Sequence, residues 1–163
     1  MPYAVTHIII PMLIVAIYRD YFAKHKFSKF YVVIAGIAGL LPDIDIILYW
    51  IINLFKYTPI NMVHRWIFHT VFLPMIFFII ALAIPKKRML FFMIGFGASM
   101  HLLLDYLFSG YIRPFYPFLL KQYGLNLFGG TEMGNSILLG MDAILLTLWL
   151  WWEYKRKRIK DFV

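Results

Sequence analysis

The chain of 163 residues contains no cysteine. Disulfide bonds, thiolate nucleophiles and cysteine-rich zinc sites are therefore excluded. Any metal site must be built from His, Asp, Glu and water, a donor set that suits Zn, Mn, Fe or Mg. Acidic residues are also scarce, with 8 Asp and Glu against 16 Lys and Arg and a formal net charge of +8. The basic residues lie beside apolar segments, which indicates contact with lipid headgroups and control of topology, and we expect no nucleic-acid partner.

Charged residues of either sign are few, because they make up 15% of the chain while 63% is hydrophobic. The mean hydropathy is +0.77, and a soluble domain of this length could not bury so much apolar surface. The composition predicts an all-α integral membrane protein that forms one multi-pass domain over residues 1–163. The first segment lacks a preceding basic region and a following small-residue cleavage site, so we expect no cleavable signal peptide.

Five apolar segments reach approximately the length that is needed to cross a bilayer. The loop before the last of them, residues 109–135, is long and rich in aromatic residues, Pro and Gly. The sequence therefore predicts a compact bundle of about five transmembrane helices with an aromatic-rich outer loop along the membrane interface. The predicted spans cover about residues 3–18, 30–54, 66–84, 89–108 and 136–152.

The basic residues are distributed unevenly among the connecting segments. If the N-terminus lies outside, 12 of the 16 Lys and Arg fall on the cytoplasmic side. The outer segments then hold only Lys56, Arg65, Arg113 and Lys121. Because cytoplasmic segments of membrane proteins carry an excess of Lys and Arg, we expect an inner-membrane protein with its N-terminus outside and its C-terminus in the cytoplasm.

Seven residues of metal-ligand type lie in these apolar segments or at their mouths. An aspartate near the bilayer centre costs about 2.5–3.5 kcal/mol on translocon scales, and a divalent cation bound by the same side chains would compensate that cost. At about 1.5 Å per residue, helices that run in opposite directions deliver their ionisable groups to one layer in the outer half of the bilayer. The candidate metal ligands are His7, Asp43, Asp45, His64, His69, His101 and Asp105.

Asp43 and Asp45 follow Pro42 in the second span. On an unbroken helix the two carboxylates would point about 200° apart. A proline disrupts the helix, however, and a locally unwound segment could aim both carboxylates at one site beside a cavity. The alternative is a proline kink in which one carboxylate pairs with Arg or His. We expect Asp43 or Asp45 to be catalytic, either by bridging two metals or by accepting a proton from water.

His101 and Asp105 are four residues apart in the fourth span, so both side chains lie on one helical face. The pair can supply two metal ligands or form a His–Asp hydrogen bond between helices. The small residues of the preceding GFGAS segment would let a neighbouring helix approach closely. His7 stands alone at the start of the first span, where a histidine is more often packed or interfacial, and only the other motifs favour it as a ligand.

His64 and His69 open the third predicted span. Arg65 and His69 would share a helical face, so that Arg65 could bind a substrate phosphate beside a metal-bound His69, with His64 in the preceding turn. The alternative is an arginine anchored among headgroups beside two interfacial histidines. Arg113 is a second candidate for phosphate binding or for simple interfacial anchoring. Asp142 has a similar depth, and structural pairing or support of a metal ligand would both explain it.

The chain carries these motifs in the order Thr6-His7, Leu41-Pro42-Asp43-Ile44-Asp45, His64-Arg65-x-x-x-His69-Thr70 and His101-x-x-x-Asp105, followed by Gly110 and Pro114. Their order and spacing, over roughly residues 6–117, resemble the YdjM-like family of inner-membrane metal-dependent hydrolases. The resemblance implies a multi-pass membrane protein with a His/Asp metal centre and hydrolytic activity. The His-x-x-x-Asp element is also similar to ligand pairs in zinc-dependent phospholipases C.

These observations predict a membrane-embedded hydrolase that cleaves a phosphoester of a lipid or lipid-linked substrate with a metal-activated water. Seven candidate ligands exceed what one tetrahedral zinc needs, which favours a two-metal site with a bridging carboxylate and water. We expect one or two Zn ions, with Mn, Fe or Mg as other possibilities. Two alternatives stay open. Intramembrane Asp/His sets also mark the paths of metal-ion or proton-coupled transporters, although no internal repeat is visible. The second alternative is a non-catalytic membrane protein with a structural metal.

Overall fold

The computed structural model describes residues 4–108, 110–128 and 131–155. Within these ranges the protein is helical, and two residues, Ile112 and Tyr123, form an isolated antiparallel bridge. This architecture confirms the predicted all-helical class. The six α-helices of the described residues are α1 (Ala4–Ile17), α2 (Phe30–Ala38), α3 (Asp45–Asn53), α4 (Phe72–Ala83), α5 (Arg88–Phe108) and α6 (Glu132–Lys155).

Three helical segments are long and apolar enough to cross a membrane: Ala4–Phe22, Pro85–Phe108 and Glu132–Lys155. The first is α1 extended by a π-helical turn, and the second is α5 preceded by a 3₁₀ turn. α2 and α3 reach that length only if the bent pair is counted as one span, and α4 has 12 residues. A helix of that length spans about 18 Å, less than the ~30 Å hydrocarbon core. The structure thus supports a helical membrane protein without establishing five spans.

The second predicted span is broken where the sequence places Pro42. α2 ends at Ala38, a 3₁₀ turn covers Pro42–Ile44, and α3 starts at Asp45 with its axis turned by 52°. Proline lacks the backbone donor that a continuous helix needs, and its ring clashes with the preceding turn. The predicted local unwinding is therefore present, and it turns the chain direction at the two aspartates.

The third predicted span, 66–84, begins too early. α4 starts only at Phe72, residues 63–71 form turns and bends, and Arg65 adopts a left-handed φ of 68°. The backbone N–H of Arg65 donates to Asp45 Oδ2, and that of Val71 donates to the Pro114 carbonyl. Because these partners satisfy the donors that a helix would use, the segment needs no helix. The predicted helical face shared by Arg65 and His69 is wrong.

α5 lies at the centre of the bundle and packs against α1, α2 and α4. Its contact with α2 is close because Gly97 faces the Ala35 carbonyl. A Cβ on Gly97 would lie 2.8 Å from the Ala38 Cβ and 2.9 Å from the Gly39 nitrogen. Small residues at a helix crossing allow this approach. The crossing brings the backbone at the end of α2 within reach of the polar residues of α5.

The segment after α5 folds back along the end of that helix. Leu125 donates a backbone hydrogen bond to the Tyr106 carbonyl, and Leu127 donates one to Leu107. Phe118 in the same segment is 78% exposed, as a residue at a membrane interface would be. α6 packs against α1 and is longer than the predicted 136–152 span. Four of the basic residues counted on the cytoplasmic side lie outside the described residues: Arg156, Lys157, Arg158 and Lys160.

The orientation in the membrane stays a prediction, and the absence of cysteine makes it easy to test. We expect Lys87→Cys to react with a membrane-impermeant maleimide only after the cells are permeabilised, because Lys87 lies in a predicted cytoplasmic turn. Met62→Cys is the matched outer control, since Met62 is 67% exposed and lies between the second and third predicted spans. Labelling of Lys87→Cys in intact cells would reverse the orientation.

Candidate metal centre

Four potential ligand atoms from three parts of the chain lie close together. His101 and Asp105 come from α5, His69 from the irregular segment before α4, and Asp43 from the turn Pro42–Ile44. The two Nε2 atoms of His69 and His101 are 3.2 Å apart. Asp43 Oδ1 lies 3.4 Å from His69 Nε2 and 3.6 Å from His101 Nε2. Asp105 Oδ2 lies 3.7 Å from the first and 3.8 Å from the second.

Five of the six separations among these atoms are close to those of a tetrahedral zinc site. Ligand atoms bound at about 2.0–2.2 Å to one tetrahedral zinc lie about 3.3–3.6 Å from one another. The five separations measured among the four atoms range from 3.2 to 3.8 Å. Three overlapping groups of side chains have the spacing to hold an ion: His7 with His101 and Asp105, Asp43 with His69 and His101, and Asp45 with His64 and His69.

The carboxylates of the centre also lack the donors that they would need on their own. Asp43 Oδ1 and both oxygens of Asp105 are buried and accept no hydrogen bond from the residues that the structure describes. An ionised carboxylate buried without compensation is strongly unfavourable. With neutral histidines, the three aspartates near the centre and the Arg65 guanidinium carry a formal charge of −2. A divalent cation would balance that charge, so the residues fit such an ion.

Each of these two histidines has a neighbour at its Nδ1 atom, on the side of the ring that faces away from the centre. His101 Nδ1 lies 2.7 Å from the Gly39 carbonyl oxygen. A carbonyl can only accept, so Nδ1 carries the proton and Nε2 keeps its lone pair toward the centre. His69 Nδ1 lies 3.2 Å from Asp45 Oδ2. A hydrogen-bond partner behind a metal-ligating histidine, as Gly39 is for His101, sets its tautomer and raises its basicity. Asp45 acts on His69 through its charge, since His69 Nδ1 makes no hydrogen bond among the described residues.

Asp45 lies on the opposite side of the His69 ring from Asp43. It contacts His69 at Nδ1, whereas Asp43 contacts Nε2, and these two nitrogens face away from each other. Its other contacts are His64 Nδ1 at 2.8 Å and the Arg65 backbone N–H at 2.9 Å. Of the two aspartates predicted to be catalytic ligands, the structure thus brings Asp43 into the four-atom set and places Asp45 and His64 behind His69.

His7 reaches the centre from α1. Its ring stacks on His101 with 3.9 Å between centroids, and its Nε2 lies 3.6 Å from Asp105 Oδ1. Neither ring nitrogen of His7 has a hydrogen-bond partner within the described ranges. The preceding residue, Thr6, donates from both its backbone and its hydroxyl to Asp142 Oδ1. Asp142 therefore joins α6 to α1 directly beside His7.

The two arginines predicted to bind substrate line one cavity. The cavity has a volume of about 550 Å³ and is called the basic cavity below. Arg65 Nη2 lies 3.3 Å from Asp105 Oδ2, so Arg65 joins the cavity to the centre. Arg113 stacks on the Trp66 ring at 4.2 Å. The residues that line the basic cavity are Ile60, Met62, His64, Arg65, Trp66, Tyr111, Arg113 and Gln122.

Two glycines contact site residues, and their residue type gives no indication of this in the sequence. Gly39 contributes its carbonyl to His101, and a backbone oxygen carries no signal in residue type. Gly110 lies against the Arg65 guanidinium, where a Cβ would be 2.6 Å from Nη2. Glu153, buried in α6, lies just beyond the predicted last span and outside every predicted motif. The glycine contacts depend on which chain segments meet, which spacing alone does not reveal.

A family model described as YdjM inner membrane protein matches residues 1–159. This chain belongs to the YdjM family. The match covers every ligand of the candidate centre and both arginines of the basic cavity, and it supports location in the membrane. No curated protein and no solved structure matches the chain. The family description gives a membrane location and names no reaction, so the chemistry of this YdjM protein has to be argued from its site.

Proposed function

We propose that this YdjM protein is a metal-dependent hydrolase, embedded in the membrane, that cleaves a phosphoester of a lipid or lipid-linked substrate. The observation that carries the proposal is the set of four ligand atoms from His69, His101, Asp43 and Asp105, which Arg65 links to a cavity lined by two arginines. A centre that only stabilised the fold would need no such cavity. Arginines beside a divalent ion are the usual means of holding a phosphate.

The four atoms would hold one ion, and a zinc ion bound there would polarise a phosphoryl oxygen and lower the pKa of a bound water to about 7. The Asp43 side chain is 19% exposed, whereas those of His69, His101 and Asp105 are fully buried. Asp43 is therefore the ligand that water could reach, which suits its predicted role as a proton acceptor. His7, His101 and Asp105 could hold a second ion.

Arg65 and Arg113 would neutralise the phosphate of the substrate. Arg65 approaches the centre and the cavity together, so a phosphate bound there would contact the guanidinium and face the four ligand atoms. Asp45 would act from a distance by fixing the His69 ring and the backbone of Arg65. The residues thus divide into those that hold the ion, those that hold the phosphate and one that positions both groups.

The direct test is zinc content and turnover measured on the same purified protein. The full chain in nanodiscs should bind zinc by elemental analysis and hydrolyse a chromogenic phosphodiester. A chelator should abolish turnover and added zinc should restore it. Bound zinc without turnover of any phosphoester would leave a structural metal, and protein that binds no divalent metal would exclude the proposal altogether.

Replacing Arg65 by glutamine is expected to weaken phosphate binding and leave the metal in place, because a guanidinium has no lone pair to ligate an ion. A hydrogen bond to a charged group contributes about 1.5–3 kcal/mol, so kcat/KM should fall roughly 10- to 100-fold. Lys121→Gln is the matched control, since Lys121 lies in the outer loop and contacts Tyr123 instead of the basic cavity. Loss of zinc from Arg65→Gln would contradict the assigned role.

Gly110→Ala should act on the same guanidinium without removing it. The added Cβ would meet the far end of the Arg65 side chain, which can move, so we expect the fold to survive. The displaced guanidinium should bind phosphate less well, and kcat/KM should fall by up to the roughly tenfold expected for one weakened charged contact. Zinc content and the thermal midpoint should stay close to wild type, and unchanged kinetics would show that Arg65 tolerates the shift.

A further inference from the structure

The chain segment 64–69 separates two cavities of opposite character. On one side it lines the basic cavity with His64, Arg65 and Trp66. On the other side Ile67 and Phe68 line a cavity of about 570 Å³ whose remaining walls are almost entirely apolar. This second cavity is called the apolar groove below, and its walls include Ile67, Phe68, Phe72, Ile76, Tyr116 and Phe118.

The two cavities adjoin each other at an aromatic pair. Trp66, which lines the basic cavity, meets Tyr116, which lines the apolar groove, edge to face with 5.2 Å between ring centroids. The outer walls of the groove are open, since Ile67 is 65% exposed and Phe118 is 78% exposed. In a membrane these side chains would face lipid or the interface rather than water. The two cavities therefore share a wall at this pair, and a long molecule bound in the basic cavity could extend over that wall into the apolar groove.

We propose that the apolar groove binds the hydrocarbon chain of the substrate while the basic cavity binds its phosphate, which makes the substrate a long-chain alkyl or acyl phosphoester. The proposal rests on the function proposed above and adds the site that selects the chain. Charge complementarity places the anionic end at Arg65 and Arg113, and the wall that the two cavities share at the Trp66–Tyr116 pair makes the groove the nearest apolar site described for the chain. A small soluble phosphoester would leave the groove without its occupant.

A photoreactive probe tests this without any turnover. Zinc-loaded protein in phosphatidylcholine nanodiscs is irradiated with dodecyl phosphate that carries a diazirine in the middle of its chain, and the labelled peptides are mapped by mass spectrometry. We expect labels on the segments 67–76 and 116–118. Excess methyl phosphate should suppress them, because it competes for the phosphate position alone.

Variants then connect the chain label to the phosphate contacts. The double variant Arg65→Gln and Arg113→Gln should reduce groove labelling at least about tenfold, since each charged contact contributes roughly a factor of ten or more to affinity. Lys121→Gln should label like wild type. Labels spread over exposed positions of α6 such as Leu139 and Ile144, unaffected by methyl phosphate, would show ordinary lipid contact and overturn the inference.

The two proposals can fail separately. If zinc-loaded protein hydrolyses a short-chain phosphodiester but labels no groove segment, the hydrolase stands and the chain site is wrong. If the groove is labelled in a phosphate-dependent manner and no ester is cleaved, the amphiphile site stands and the reaction is wrong. The methyl phosphate competition uses the wild-type chain, so it decides the matter even if the double variant does not fold.

Discussion

Asp105→Ala is expected to abolish zinc binding and all metal-dependent turnover. Asp105 Oδ2 is within 3.8 Å of both ligand nitrogens, and Oδ1 lies 3.6 Å from His7 Nε2. Its removal should lower zinc affinity by more than the roughly 10- to 100-fold that the loss of a supporting hydrogen-bond partner causes. Zinc at about 100 times its Kd should stabilise the wild type by about 2.7 kcal/mol, and this gain should vanish in the variant.

Asp142→Asn is the matched control for that experiment. Asp142 is also a buried carboxylate on a membrane helix, but it accepts hydrogen bonds from Thr6 and has no contact with the four ligand atoms among the described residues. We expect it to keep its zinc. Elemental analysis and thermal unfolding with and without zinc measure both variants. Full zinc content in Asp105→Ala would show that Asp105 does not bind the ion.

Gly97→Ala should disrupt the helix crossing on which the centre depends. The new Cβ would meet backbone and Cβ atoms of α2, which cannot rotate away as a flexible side chain can. Overpacking a well-packed contact costs about 1–3 kcal/mol. As α5 moves away from α2, His101 should lose its hydrogen bond to Gly39 and zinc affinity should fall roughly 10- to 100-fold.

Gly140→Ala should change the stability of the protein in the opposite direction. A Cβ on Gly140 in α6 would meet nothing within 4 Å, so only the helix preference of alanine remains. That change should stabilise the protein by roughly 0.5–1 kcal/mol, with zinc affinity unchanged. Thermal unfolding and zinc titration of both variants make the comparison. Equal stability of the two alanine variants would mean that α5 and α2 do not approach as closely as described.

Some features of this YdjM protein follow from the sequence by itself. Long apolar runs cannot be accommodated in water, so composition alone requires membrane helices. Pro42 cannot donate within a helix, so the break in the second span is dictated locally. His101 and Asp105 share a helical face at any position in the fold. The cost of burying carboxylates in an apolar segment also explains why the candidate ligands could be chosen before the fold was known.

Other features depended on tertiary structure. Spacing could not show that Asp43 and Asp45 would contact opposite nitrogens of one His69 ring, because this depends on a rotation of the backbone after Pro42. Nor could it show that His69 lies in an irregular segment, since the hydrogen bonds that replace the helix come from Asp45 and from the Pro114 carbonyl, both far along the chain. Local spacing sets which face of a helix a residue occupies, but ligation depends on distances between segments, and only packing determines those.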